Sequence, residues 1–272
     1  MKDFNYILQN FFTHKDYLAP ANEIPGTMFT PLHFVFAAVL LSLVILACVF
    51  VSKRKHLVKK IYIILWAAVS IVEVIKITYE STTGKTIGVD LQGILPLYAC
   101  SLYMYAMPFA IWGKGNVKWA ACGYVCTIAL MGGAINFAYP MTVLPYYSCI
   151  SFVGMHTFLY HGVLLFTAVT MLTTGYHTFR GATKWWQLFL ASIPALILSI
   201  PANIVNYTVD ADYMFFRGNS AFLPLIFGDV SDGITTIIIY VLYIIVPAAF
   251  YLPSYIAHKR KERREKVVKK TA

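Results

Sequence analysis

Cys100 and Ser101 stand side by side in Ile94-Leu95-Pro96-Leu97-Tyr98-Ala99-Cys100-Ser101-Leu102, a stretch that is otherwise almost wholly apolar. A thiol becomes a nucleophile when a base or a positive charge favours its thiolate. Two histidines, His156 and His161, offer such a base from a later apolar run. They are five residues apart, about 140° around a helix, so the two do not converge on one atom. Glu73 and Lys76, spaced i, i+3 inside another apolar run, either pair with each other or line a polar site. Asn203, Asn206 and Asp210 form an i, i+3, i+7 stripe in a third. The chemistry this set suggests is nucleophilic catalysis by Cys100 with an imidazole partner. The structural alternative is an inert buried thiol, a self-satisfied ion pair and asparagines that link helices.

The elements that must position these groups are membrane helices. The chain has 272 residues, of which 59% are hydrophobic and only 12% charged. A soluble domain carries roughly 25% charged residues. Uncharged runs of about 20 residues recur, each enough to cross a hydrocarbon core of ~30 Å. The prediction is an all-α, polytopic bundle of seven transmembrane helices. Its spans are 29–51, 61–79, 91–112, 117–137, 149–172, 185–207 and 234–256. Residues 1–28 read as an interfacial amphipathic segment and linker without the core of a signal peptide, 29–257 as the transmembrane domain, and 258–272 as a basic tail. Pro194 and Pro201 predict a bend in the sixth span. Cys122 and Cys126, one helical turn apart among small residues, predict close helix packing, and the five cysteines form no disulfide or zinc pattern.

The net charge of +10 does not point to nucleic acid, because the basic residues flank the apolar spans. Seventeen of the 22 Lys and Arg fall on connections of one side and four on the other. The positive-inside bias therefore places the N-terminus outside and the C-terminus in the cytoplasm. With that orientation Glu73 and Lys76 lie in the outer half of span two, and Cys100 and Ser101 two to three turns below the outer end of span three. His156 lies near the outer surface, with His161 about 7.5 Å deeper, level with Cys100. Asn203 and Asn206 lie along the outer end of span six. Ionisable groups in hydrocarbon cost roughly 2.5–3.5 kcal/mol each. Their gathering at one depth predicts a polar cavity opening to the outer leaflet.

At Leu95-Pro96-Leu97 with Cys100-Ser101-Leu102, at His161-Gly162 and at Tyr213-Met214-Phe215 the chain resembles the YwaF-like family of bacterial integral membrane proteins. That family is related to a eukaryotic transmembrane acyltransferase of ether phospholipids. The likeness spans roughly residues 30 to 256. It implies a bacterial plasma membrane protein in which Cys100 accepts an acyl chain and His161 is the base. Two positions depart from the pattern: Tyr98 stands where a His or Gln is usual, and Asp212 where an Asn is usual. Asn203 or Asn206 would steady the oxyanion, and Ser101, His156, Glu73, Lys76 and Asp212 would line the substrate cavity. Membrane lipids are the expected partners, and neither a metal nor another cofactor is expected. The rival reading is a transporter or small-solute binder, suggested by Glu73, Lys76 and the proline-bent sixth span. The tail reads as a topological anchor or as a site for anionic lipid.

Overall fold

Apolar runs bounded by good capping residues become the long helices of the computed structural model, which describes residues 2–85, 93–217, 228 and 230–271. After a short helix, α1 (Lys2–Gln9), the chain enters α2 (Pro31–Ser52). Thr30 caps α2 by accepting the His33 N–H at 3.4 Å, and Pro31 occupies the first turn, where a missing N–H costs nothing. Then come α3 (Val58–Thr83), α4 (Leu102–Trp112), α5 (Gly115–Tyr124), a π-helical turn (Val125–Ala129) and α6 (Leu130–Ala138). Ser151 caps α7 (Phe152–Thr173) by accepting the Gly154 N–H at 3.1 Å. A 3-10 segment, Trp185–Ser192, leads into α8 (Ile193–Val209), and α9 (Asp232–Thr271) closes the chain.

Among the described residues six stretches are long and apolar enough to cross a membrane: Pro31–Ser52, Lys55–Thr83, Gly115–Ala138, Phe152–Thr173, Trp185–Val209 and Asp232–Val268. The seventh apolar helix, α4, has only 11 residues. The reading of Ile94–Leu102 as the opening turns of a helix is therefore corrected. Residues 94–101 are turns, and helix begins at Leu102. Pro96 is the physical reason: it has no N–H to give, and it disfavours helical backbone at Leu95. Leu97 N–H instead closes a tight turn on the Leu95 carbonyl at 2.8 Å. The basic tail is corrected in form as well, since α9 runs unbroken through it to Thr271. Pro194 does not bend the sixth span but lies in the first turn of α8, while Pro201 is internal.

The middle of the bundle is α7, buried over 72% of its span against 17% for α2. It packs on α2, α3, α6 and the π turn. The predicted close packing around Cys122 and Cys126 is present. A Cβ on Gly123 would meet Ala191 and the Tyr251 hydroxyl at 2.7 Å, so only glycine fits. Thr127 donates to the Gly123 carbonyl at 2.7 Å, a back-bond that accompanies the π turn.

The N-terminal segment is tied to the bundle rather than lying free beside it. Phe11 carbonyl accepts the Phe152 N–H at 3.0 Å, Tyr79 donates to the Phe12 carbonyl at 2.8 Å, and the Gly26 carbonyl takes the Cys149 N–H at 2.8 Å. Phe12 also packs on Phe152. Asp16 accepts the Lys85 N–H at 3.0 Å, which holds its carboxyl below the ordinary aspartate range. These contacts close one end of the bundle, where α3 finishes and α7 begins.

Candidate functional site

Beneath that closed end, α3 and α7 meet through charge. One oxygen of Glu73 takes the Lys76 ammonium at 3.1 Å, and the other lies 3.0 Å from Nε2 of His156. The His156 contact has the separation of an ion pair but not the alignment of a hydrogen bond. Lys76 also lies 3.8 Å from Glu80. Glu73 is only 4% exposed and His156 8%, so both charge partners are taken from solvent together. Removing one partner of such a pair strands the other, which costs about 3–5 kcal/mol. The predicted i, i+3 pairing of Glu73 with Lys76 is thus present, and it extends across to the next helix.

Cys100 sits beside this cluster. Its sulfur is within electrostatic reach of both Glu73 and Lys76. Of the five cysteines it is the one not fully buried. Cys48, Cys122 and Cys126 each lie 3.9 Å from a backbone carbonyl of another helix, an occupied and structural position. Ser101 turns its hydroxyl and its backbone N–H toward the Cys100 sulfur. The thiol also stands two residues before the N-terminus of α4, where helix polarity favours negative charge.

Three tyrosines hold the non-helical segment that carries the thiol. Tyr213 hydroxyl accepts the Leu95 N–H at 2.9 Å, Tyr124 donates to the Ala99 carbonyl at 2.6 Å, and Tyr160 donates to the Cys100 carbonyl at 3.3 Å. Tyr98 packs on Tyr213 with ring centres 5.0 Å apart. Sequence reasoning passed over these residues. The available signal was depth, since tyrosine ordinarily collects at membrane interfaces and these three are buried in the bundle.

The two histidines occupy different environments. Both ring centres lie 5.7 Å from the Tyr160 ring. His161 places Nδ1 2.8 Å from the Thr157 carbonyl. A carbonyl only accepts, so Nδ1 carries the hydrogen and Nε2 keeps a lone pair. Among the described residues no hydrogen bond joins the Cys100 sulfur to either imidazole; Tyr160 is their common neighbour.

The asparagines are placed away from any oxyanion role. Asn206 is fully buried and clasps the Tyr213 backbone twice, donating to its carbonyl at 3.0 Å and accepting its N–H at 2.7 Å. That clasp supports Met214 and Phe215, both at positive φ (59° and 63°). Asn203 donates to the Tyr240 hydroxyl at 2.9 Å, which in turn donates to Ser199 at 3.1 Å, so it links α8 to α9. Asp212 accepts the Arg217 N–H at 2.8 Å and closes the turn after α8. Among the described residues no three His, Cys, Asp or Glu side chains converge as a metal-binding set.

With this geometry in hand, the comparison with known proteins is decisive on one point. The model of the TMEM164 family, a transmembrane family, matches residues 28–253. The chain belongs to the TMEM164 family. No curated protein and no solved structure matches it. The match takes in every span, the 94–101 segment and both histidines, and leaves outside it α1 and the last two turns and more of α9.

Proposed function

We propose that this membrane protein transfers acyl chains between phospholipids, with Cys100 as nucleophile and His161 as base. The observation that carries the reading is the half-buried thiol beside the Glu73–Lys76–His156 cluster, clamped by three tyrosine hydroxyls. Clamped backbone on both sides of a nucleophile is what positioned attack requires. The likeness to the YwaF-like pattern at Leu95-Pro96-Leu97, Cys100-Ser101-Leu102 and His161-Gly162 supports the same assignment, and with it a bacterial plasma membrane setting.

In this reading Nε2 of His161 takes the thiol proton as sulfur bonds to the ester carbonyl carbon. The oxyanion faces the Ser101 N–H, the donor nearest the sulfur. Collapse breaks the ester C–O bond, the imidazolium returns its proton to the departing lysophospholipid, and the acyl group remains on Cys100 as a thioester. A second lysophospholipid hydroxyl reverses the sequence. Thiol–imidazole contact is expected to tighten when substrate is bound. Glu73, paired to His156 and Lys76, fixes the α3–α7 seam that the substrate meets. The charge bias of the connections puts this site on the outer-leaflet side of a seven-span bundle, with α4 and residues 91–101 making the remaining crossing.

The test uses purified protein in phospholipid vesicles, a donor lipid with an isotopically labelled acyl chain and an unlabelled lysophospholipid acceptor. Wild type is expected to move label. Cys100→Ala is expected to abolish transfer, and His161→Gln to slow it by about a hundredfold or more. Label transfer that survives Cys100→Ala would overturn the reading. Solute uptake that depends on Glu73 but not on Cys100 would favour the transporter instead.

A further inference from the structure

Where α2 and α3 stand apart on α7, they leave a cleft of about 600 Å3. Its walls include Leu40 and Val51 of α2, Ile61 and Leu65 of α3, and Gly162 and Phe166 of α7, and every lining side chain is apolar. Gly162 matters to its form. A Cβ there would stand 3.3 Å from Val44 and 3.7 Å from Phe137, closing the cleft at mid-length. The glycine is the residue directly after His161.

Dimensions and position restrict what fits. From Leu40 to Val51 the cleft follows α2 for about 16 Å, against about 15 Å for half of a hydrocarbon core. Its upper end, at Phe158, begins about 3 Å along α7 from His156. Its lower end reaches Val51 and Ile61, beside the turn joining α2 to α3. Both walls belong to helices that expose most of their apolar surface, so the cleft faces hydrocarbon rather than water.

We infer that this cleft is the seat of one phospholipid acyl chain, held with its carbonyl end toward the polar cluster and its methyl end at Val51 and Ile61. An ester group at the upper end lies at the level of His156 and His161, and the chain then runs one leaflet deep along α2. A full headgroup does not fit among apolar walls, so it stays above, at the Glu73–Lys76 level. The inference takes its chemistry from the acyl-transfer reading, but the binding it describes stands apart from whether transfer occurs.

The test uses wild-type protein in phosphatidylcholine vesicles containing a phosphatidylcholine with a diazirine at the far end of one acyl chain. After irradiation, adducts are mapped by peptide mass spectrometry. They are expected at Ala47, Val51 and Phe166, and a diazirine next to the carbonyl is expected to move them to Phe137 and Phe158. Ala47→Trp, on the exposed face of α2, fills the cleft without touching the core and is expected to cut these adducts by about tenfold. Adducts at Ile204, on the lipid-facing side of α8, serve as the control and are expected to be unchanged. In the labelled-transfer assay the same variant is expected to shift preference toward shorter donor chains.

Adducts spread equally over the cleft and Ile204, and indifferent to Ala47→Trp, would overturn the inference even if transfer is observed. Cleft-specific adducts without any transfer would uphold the inference and sink the catalytic reading. An interchain disulfide formed by Leu43→Cys in vesicles, in place of lipid adducts, would show a second copy of the chain in the cleft and would also overturn it.

Discussion

Glu73 divides its two oxygens between Lys76 and His156, and this division makes it the most consequential single side chain for stability. Glu73→Ala leaves an ammonium and an imidazole without their shared counter-charge. The expected loss is about 3 kcal/mol, read as a fall in Tm in detergent, whereas Lys85→Ala on the surface should be nearly silent. The tyrosine clamp gives a finer expectation. Tyr124→Phe removes one hydroxyl from a buried carbonyl and is expected to cost about 1–2 kcal/mol. It should also slow alkylation of Cys100 less than it slows acyl transfer, because it disturbs position rather than the thiol itself. Equal losses in both assays would argue that the clamp only holds the fold. At this scale the sequence spoke clearly about charge. A Glu and a Lys inside an apolar run need partners, and i, i+3 spacing supplied one. It was silent about the asparagines, because an amide in a membrane helix reads the same whether it lines a cavity or clasps a turn. Only the fold brings the Tyr213 backbone back to Asn206.

Irregular backbone is what the elements contribute. Residues 94–101 are turns inside an apolar region, and such backbone is tolerated in a bilayer only where protein satisfies its polar groups. Tyr213, Tyr124 and Tyr160 do so at Leu95, Ala99 and Cys100. Hydropathy alone merged these residues with α4, since an apolar turn and an apolar helix have one composition; Pro96 was the warning. Asn206 positions this segment at one remove, through Tyr213, so Asn206→Leu is expected to lower both Tm and Cys100 reactivity. Unchanged Cys100 reactivity in the folded variant would break that link. A second element-scale expectation concerns the connection after α7. His177 is buried there, 2.6 Å from the Tyr251 hydroxyl and against Trp119, and burial pushes its imidazole down to about 4. Its ordinary value is about 6.5. Between these values the unfolded chain takes up a proton that the folded chain refuses. Stability is therefore full above about pH 6.5 and falls as pH drops toward 4. Tm measured across that range should decline, and His177→Phe should flatten the decline; an equal slope in the variant would assign it to other groups.

As a whole the molecule is a bundle organised on α7, closed at one end by the N-terminal segment and opened along one side by the cleft between α2 and α3. Membrane class and the gathering of polar groups were legible because both follow from hydropathy and spacing along single helices. The cleft was not, because it is defined by the divergence of α2 and α3, and both of its walls read as ordinary apolar span. Charge bias sets the expected orientation, and a reporter fused after Ala272 should be active only in the cytoplasm. Activity only outside would invert the site's leaflet while leaving its chemistry intact. The most direct measurement is the intact mass of purified protein after incubation with a phospholipid donor. The account predicts a gain of one acyl group, removed by hydroxylamine and absent from Cys100→Ser; a wild-type mass that stays unmodified while acyl transfer proceeds would contradict it.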